Sequence, residues 1–178
     1  MGLIVLGLAV GKGSTPLDDW FQQLGGRYPE LGRLLVFTDG RVVLTLWAIV
    51  VIVALLQRRW RLAAVAAVTP VVAVMAARLA KRMFGRLKEG EIAYPSGHTT
   101  LALVVVATAV LLVGVAMWTV VVAVAVMVLA VIGQAVSYHY FTDTIGALFL
   151  GTALVAVTVR AAKLDRCQPE GDVDHSPG

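Results

Sequence analysis

Two of the three histidines in this 178-residue chain stand at the borders of apolar runs. His98 lies in "AYPSGHTT", residues 93–100, and His139 in "SYHYFTD", residues 137–143. A helix starting near His98 aims unsatisfied backbone N–H groups and the positive end of its dipole at the preceding loop. Ser96 adds a hydroxyl there and Gly97 lets a backbone approach closely, so the segment can cradle an anion. His139 precedes Asp143 by four residues. On a helical turn the carboxylate can take the proton of one ring nitrogen and orient the other outward, which makes an imidazole fit to act as nucleophile or base. A structural zinc would want more ligands than His98, His139 and Asp143 offer without a nearby cysteine. Lys81, Arg82, Arg86 and Lys88 crowd the segment ahead of His98, and phosphate is the ligand that suits cradle, imidazole and cations together.

The elements that must position these groups are membrane helices. Hydrophobic residues make up 59% of the chain and charged residues 15%, with a mean hydropathy of +0.85, outside the balance of a soluble domain. The apolar runs lack the period-2 alternation of a transmembrane barrel. Predicted spans are Val42–Leu56, with an alternative start near Leu34, then Leu62–Ala80, Thr99–Val115, Trp118–Val136 and Thr144–Ala161. Met1–Val10 reaches only about 15 Å as a helix; it reads as the end of a first span whose start lies upstream, or as a short anchor, rather than a signal peptide. Together these predict an all-α, polytopic bundle of about six transmembrane helices, the first short or truncated.

Between the first two apolar runs, "STPLDDWFQQLGG" has the marks of a short helix. Ser14 or Thr15 can cap it, Pro16 suits its first turn, Asp18 and Asp19 favour its dipole, and Gly25 with Gly26 is expected to stop it. Leu17, Trp20, Phe21 and Leu24 form one apolar face, as in an interfacial helix or one packed on the rest of the protein. Pro70 is expected to kink its span. Ala147 and Gly151 mark close helix packing. Residues 1–164 read as one membrane-embedded domain, and 165–178 as a polar, disordered tail holding the single cysteine, Cys167.

About 40 residues separate His98 from His139, roughly 60 Å of helix, or two passes through a core about 30 Å thick. Both histidines therefore return to the face of the basic loop. If "QRRWR" at 57–61 is cytoplasmic, then Arg160, Lys163 and Arg166 are too, as the positive-inside rule expects. The loop with Lys81, Arg82, Arg86 and Lys88 then lies outside, against that rule, so its cations are expected to serve a ligand. The net charge of +4 accordingly suits membrane and phosphate partners, with no nucleic acid.

The order Lys81, "PSGH" at 95–98 and "HYFTD" at 139–143, each at the edge of a span, resembles the type 2 phosphatidic acid phosphatase superfamily. That family carries Lys-x6-Arg-Pro, Pro-Ser-Gly-His and Ser-Arg-x5-His-x3-Asp on a six-helix membrane core. The resemblance implies that His139 is the nucleophile, Asp143 its orienting partner, and His98 the acid that protonates the leaving alcohol. Lys81, Ser96 and Gly97 would hold phosphate oxygens without metal or other cofactor. Two departures stand out: the first motif's Arg-Pro falls on Lys88 and Glu89, and the third motif's Ser-Arg on Ile132 and Gly133. Losing a charge-assisted hydrogen bond is worth about 1.5–3 kcal/mol, a factor of about ten to a few hundred. Arg86 is expected to replace the missing arginine, with Arg82 second.

The implied function is a metal-independent phosphatase of a lipid-linked phosphate monoester or diphosphate, prenyl or phosphatidate-like. It would be multi-pass in the cell membrane, with its site on the extracytoplasmic side and membrane lipids as partners. The altered motifs motivate one alternative, a catalytically impaired relative that binds anionic lipid or assists a complex; another keeps the phosphohistidine but passes the phosphoryl group to an acceptor other than water, as a phosphotransferase.

Overall fold

The computed structural model describes residues 1–163; the expected tail at 165–178, with Cys167, lies outside them. In chain order it runs α1 (Gly2–Val10), α2 (Pro16–Arg27), a 3-10 helix (Pro29–Thr38), α3 (Gly40–Leu56) and α4 (Trp60–Phe84). A hairpin follows, β1 (Leu87–Lys88) and β2 (Glu91–Ile92), then α5 (Gly97–Val113), α6 (Met117–Ala135) and α7 (Phe141–Ala161). Among the described residues, four helical segments are long and apolar enough to cross a membrane: Pro29–Leu56, α4, α6 and α7. Against the expected six or so, α5 is a 17-residue apolar helix and α1 has nine residues.

Helix α5 is the axis of the bundle, packed against α3, α4, α6 and α7. Its inward residues are small or β-branched: Thr99, Thr100, Ala102, Val104, Val105 and Thr108 are all buried. Valines, leucines and isoleucines of the surrounding helices, such as Ile49, Ile52, Val71, Val121 and Val124, face outward. Such an arrangement, apolar outside with hydroxyls and small residues between helices, suits a lipid solvent.

Each boundary has a local cause. Thr15 caps α2 in a reciprocal box: its Oγ1 accepts the Asp18 N–H at 3.2 Å while Asp18 Oδ2 accepts the Thr15 N–H at 2.9 Å. Asp39 caps α3 through the N–H groups of Arg41 and Val42. Gly85 ends α4 at φ 60°, its N–H returning to Lys81 O. Glu89 and Gly90, at φ 53° and 87°, form the two-residue turn that closes the hairpin.

One expectation about breakers changes. Helix α2 runs through Gly25 and Gly26 to Arg27; a Cβ at Gly25 would overlap the Val136 carbonyl, so the glycine serves close approach to the α6–α7 connection rather than termination. Helix α4 continues through Pro70 for 25 residues. Proline lacks the N–H that would bind the Ala66 carbonyl, and Trp47 Nε1 of α3 donates to that oxygen at 2.8 Å, so α3 repairs the defect.

The two ends of the bundle differ. At one, Arg59 donates to the Leu111 and Leu112 carbonyls at the end of α5, and Arg61 lies beside Ala161 and Ala162 at the end of α7. The start of α7, the start of α5 and the end of α4 meet at the other. That end carries His98 and His139.

Candidate functional site

A cavity of about 640 Å³ opens at the histidine end. Its walls are Ala77, Arg78 and Lys81 of α4, Gly97, His98 and Leu101 of α5, Lys88, Glu89 and Glu91 of the hairpin, and Tyr138 and His139 of the α6–α7 connection. His98 and His139 thus border one space. The Ser96 N–H donates to the Asp143 carbonyl at 3.1 Å, which ties the two histidine-bearing segments directly together.

His139 sits in the connection just before α7, while Asp143 occupies the third position of the helix. The His139 N–H donates to Gln134 O at 3.0 Å, and its carbonyl accepts from Gln22 Nε2 at 3.1 Å. Nδ1 lies 3.7 Å from Asp143 Oδ2, beyond hydrogen-bond length, and is buried without another partner among the described residues. Catalytic hydrogen bonds are often long before substrate binds. With Nδ1 buried against the carboxylate, Nε2 is the ring nitrogen left for the cavity.

Asp143 is itself fully buried. Its Oδ2 accepts the Tyr140 N–H at 3.2 Å and its Oδ1 a 2.7 Å bond from Arg86. Arg86 is where the sequence expectation must be corrected. The side chain is completely buried and absent from the cavity wall. All five guanidinium N–H groups are engaged: two with Gly13 O, one with Asp18 Oδ2, one with Thr142 Oγ1 and one with Asp143 Oδ1. Its guanidinium also lies 4.5 Å from the Tyr140 ring centroid. No donor is left for a phosphate, so Arg86 is a clamp on the two aspartates. Arg82, the second choice, is exposed and also off the cavity.

Asp18, which the sequence marks only as a helix-dipole residue, is the other half of this clamp. It accepts the Thr142 N–H at 2.9 Å and the Thr142 hydroxyl at 3.0 Å, besides Arg86 at 2.7 Å. Burial pushes its carboxyl up, but the N–H groups of Thr142 and Thr15 and the Arg86 guanidinium outweigh burial and hold its pKa below the ordinary 3.8. Helix α2 therefore closes the end of the bundle by charge as well as by packing, with Phe21 stacked on Phe141 at 4.3 Å.

Of the remaining expected phosphate ligands, Lys81, Lys88 and Gly97 line the cavity. The Lys88 ammonium donates to Gln22 Oε1 at 2.9 Å and Ser137 O at 3.2 Å. Burial lowers its pKa, opposed by the charges of Glu89, Asp143 and Asp18. Ser96 lies behind the wall: it is fully buried, and its Oγ accepts from the N–H and hydroxyl of Thr99 as the cap of α5. Ser96 builds the helix terminus, and the Gly97 backbone faces the space.

Gly133, where the family pattern has arginine, packs on the 3-10 helix. A Cβ there would lie 2.6 Å from the Leu34 carbonyl carbon, so no side chain fits without parting the two helices. Tyr94 holds α1 to the site: its hydroxyl donates to Leu3 O at 2.6 Å, and its ring fills the space left by Gly7 and Gly146. Burial, then the Asp143 charge, raises the Tyr94 pKa to about 12 against the opposing pull of Arg86.

No protein-family model, curated protein or solved structure matches this chain. The cavity brings together an imidazole backed by a carboxylate, a second imidazole, a helix N-terminus and lysine ammonium groups. No cluster of three or more metal-ligating His, Cys, Asp or Glu side chains occurs among the described residues.

Proposed function

We propose that this chain is an integral membrane phosphatase of a lipid-linked phosphate, acting through a phosphohistidine on His139 and related to the type 2 phosphatidic acid phosphatases. The observation that carries the reading is the shared cavity: His98 and His139 border it with Lys81, Lys88 and the amino-terminal end of α5. In the proposed reaction His139 Nε2 attacks phosphorus and the bond to the alcohol oxygen breaks. His98 gives its proton to that oxygen. Water then attacks the phosphohistidine, His98 takes its proton, and inorganic phosphate leaves with the electron pair of the P–N bond returned to the ring. Lys81, Lys88 and the Gly97 N–H stabilise charge developing on the phosphoryl oxygens, while Asp143, held by Arg86, steadies the imidazolium.

In this reading α1, α3, α4, α5, α6 and α7 form the membrane core and α2 lies in the interface, where exposed Trp20 meets headgroups. The basic end with Arg58, Arg59, Arg61 and Arg160 faces the cytoplasm, and the cavity faces the extracytoplasmic side of the cell membrane. Release of inorganic phosphate from prenyl or phosphatidate-like phosphates by the purified chain, insensitive to chelator and lost in His139→Ala, is the expected result. Equal release by His139→Ala overturns it.

A second reading, an anionic-lipid binder without turnover, is favoured by one observation: the consumption of every Arg86 donor within the protein leaves no guanidinium where the sequence expected one. Lipid binding that survives His139→Ala, with no hydrolysis across a panel of lipid phosphates, distinguishes it. Transfer to added alcohols in place of water identifies a phosphotransferase.

A further inference from the structure

Arg78 lies on the cavity wall one helical turn before Lys81, on the same face of α4. It falls within the apolar run that reads as a span, where an arginine is costly and seldom found without a task. Unlike Arg86 and Lys88, and like Lys81, it makes no hydrogen bond or ion pair among the described residues. Arg86 has spent five donors and Lys88 two, so Arg78 brings the only wholly uncommitted guanidinium to the described cavity wall. Val74, Ala77 and Leu101 line the same space beside it.

We propose that Arg78 is the guanidinium that grips the phosphoryl oxygens of the ligand, a phosphomonoester anion. The apolar chain of an amphiphilic ligand would begin against Val74 and Leu101. This rests on the reading of the cavity as a phosphate site, though not on turnover. A planar guanidinium can hold two phosphate oxygens at once, which an ammonium cannot. The position also fits a ligand arriving sideways from the bilayer, because Arg78 is exposed and lies deeper along α4 than Lys81.

The test is equilibrium binding of two probes, inorganic phosphate and decyl phosphate, to the full chain in detergent, for the unmodified protein, Arg78→Ala, Arg78→Lys and Arg82→Ala. Thermal unfolding checks that each variant is folded. Arg78→Ala is expected to weaken binding by about tenfold or more, Arg78→Lys by less, and Arg82→Ala not at all. Weakening of both probes assigns Arg78 to the phosphoryl group itself; weakening of decyl phosphate alone assigns it to a lipid headgroup, and either supports the proposal. Unchanged binding of both probes by folded Arg78→Ala overturns it, while His139-dependent phosphate release in the same preparation leaves the phosphatase reading standing. Failure of the unmodified chain to bind either probe removes both.

Discussion

Replacing Arg86 by alanine separates a clamp from a phosphate ligand, because the two roles fail differently. The substitution strands Asp18 and Asp143, both fully buried, each losing a 2.7 Å charge-assisted bond. Removing one partner of a buried pair costs about 3–5 kcal/mol, a large share of the roughly 5–15 kcal/mol that holds a typical domain together. Arg86→Lys keeps the charge but offers three donors without a planar fork, so at least two of the five bonds are lost and an intermediate penalty is expected. Thermal unfolding of the full chain in detergent, paired with phosphate-release kinetics, reads both effects. The clamp predicts a lowered unfolding midpoint in both variants, larger for alanine, and, on the proposed phosphatase reading, a fall in kcat as Asp143 loses its fixed position. An unchanged midpoint with a rise in KM alone would refute the clamp and return Arg86 to the phosphate site.

Other consequences follow from the same contacts. Asp18 has a depressed folded-state pKa, so its stabilisation is present above the unfolded value and lost as pH falls through the folded one; acid unfolding below about pH 4 should be blunted in Asp18→Asn, read from midpoint against pH. Tyr94 has a raised pKa, from 10.0 to about 12, so its contribution is whole below pH 10 and lost as pH rises through that interval, a loss that Tyr94→Phe should remove. Gly133→Ala should destabilise the chain by about 1–3 kcal/mol through overpacking against Leu34, and Gly133→Arg by more, so placing there the arginine of the resembled motif should lower the yield of folded protein and any phosphate release measured with it. Lys88 has a lowered pKa, so phosphate binding should weaken on the alkaline side before an ordinary lysine would titrate, near 10.5, and Lys88→Arg should extend the plateau.

The helices were legible because each rests on local causes. Apolar runs set the spans, Thr15 and Pro16 mark the start of α2, and the length between His98 and His139 sends both to one end. What escaped the sequence depends on partners far away in the chain. An aspartate three residues after Thr15 is fully explained as a capping-box member, so nothing local betrays that Asp18 also binds Arg86 and Thr142. Arg86 stands in sequence as one cation among several ahead of "PSGH", but its direction is set by Gly13, Asp18 and Asp143, which sequence spacing does not connect. Arg78 was hidden inside a run read as a span, although an arginine at such a depth is itself a signal. Gln22, polar on an otherwise amphipathic helix, gave none; its amide joins Lys88 to the backbone of His139 only once α2 folds over the α6–α7 connection. The Glu89–Gly90 turn was readable in principle, since glycine after an acidic residue suits a tight hairpin.

The central claim is that His139 carries the phosphoryl group between lipid and water. Brief reaction of the full chain with a lipid phosphate labelled in its phosphoryl group, followed by alkaline quench and peptide mapping, tests it most directly. An acid-labile, alkali-stable label on His139 that persists in His98→Ala and vanishes in His139→Ala is expected. Phosphate release without any such label, or a label that survives His139→Ala, contradicts the account.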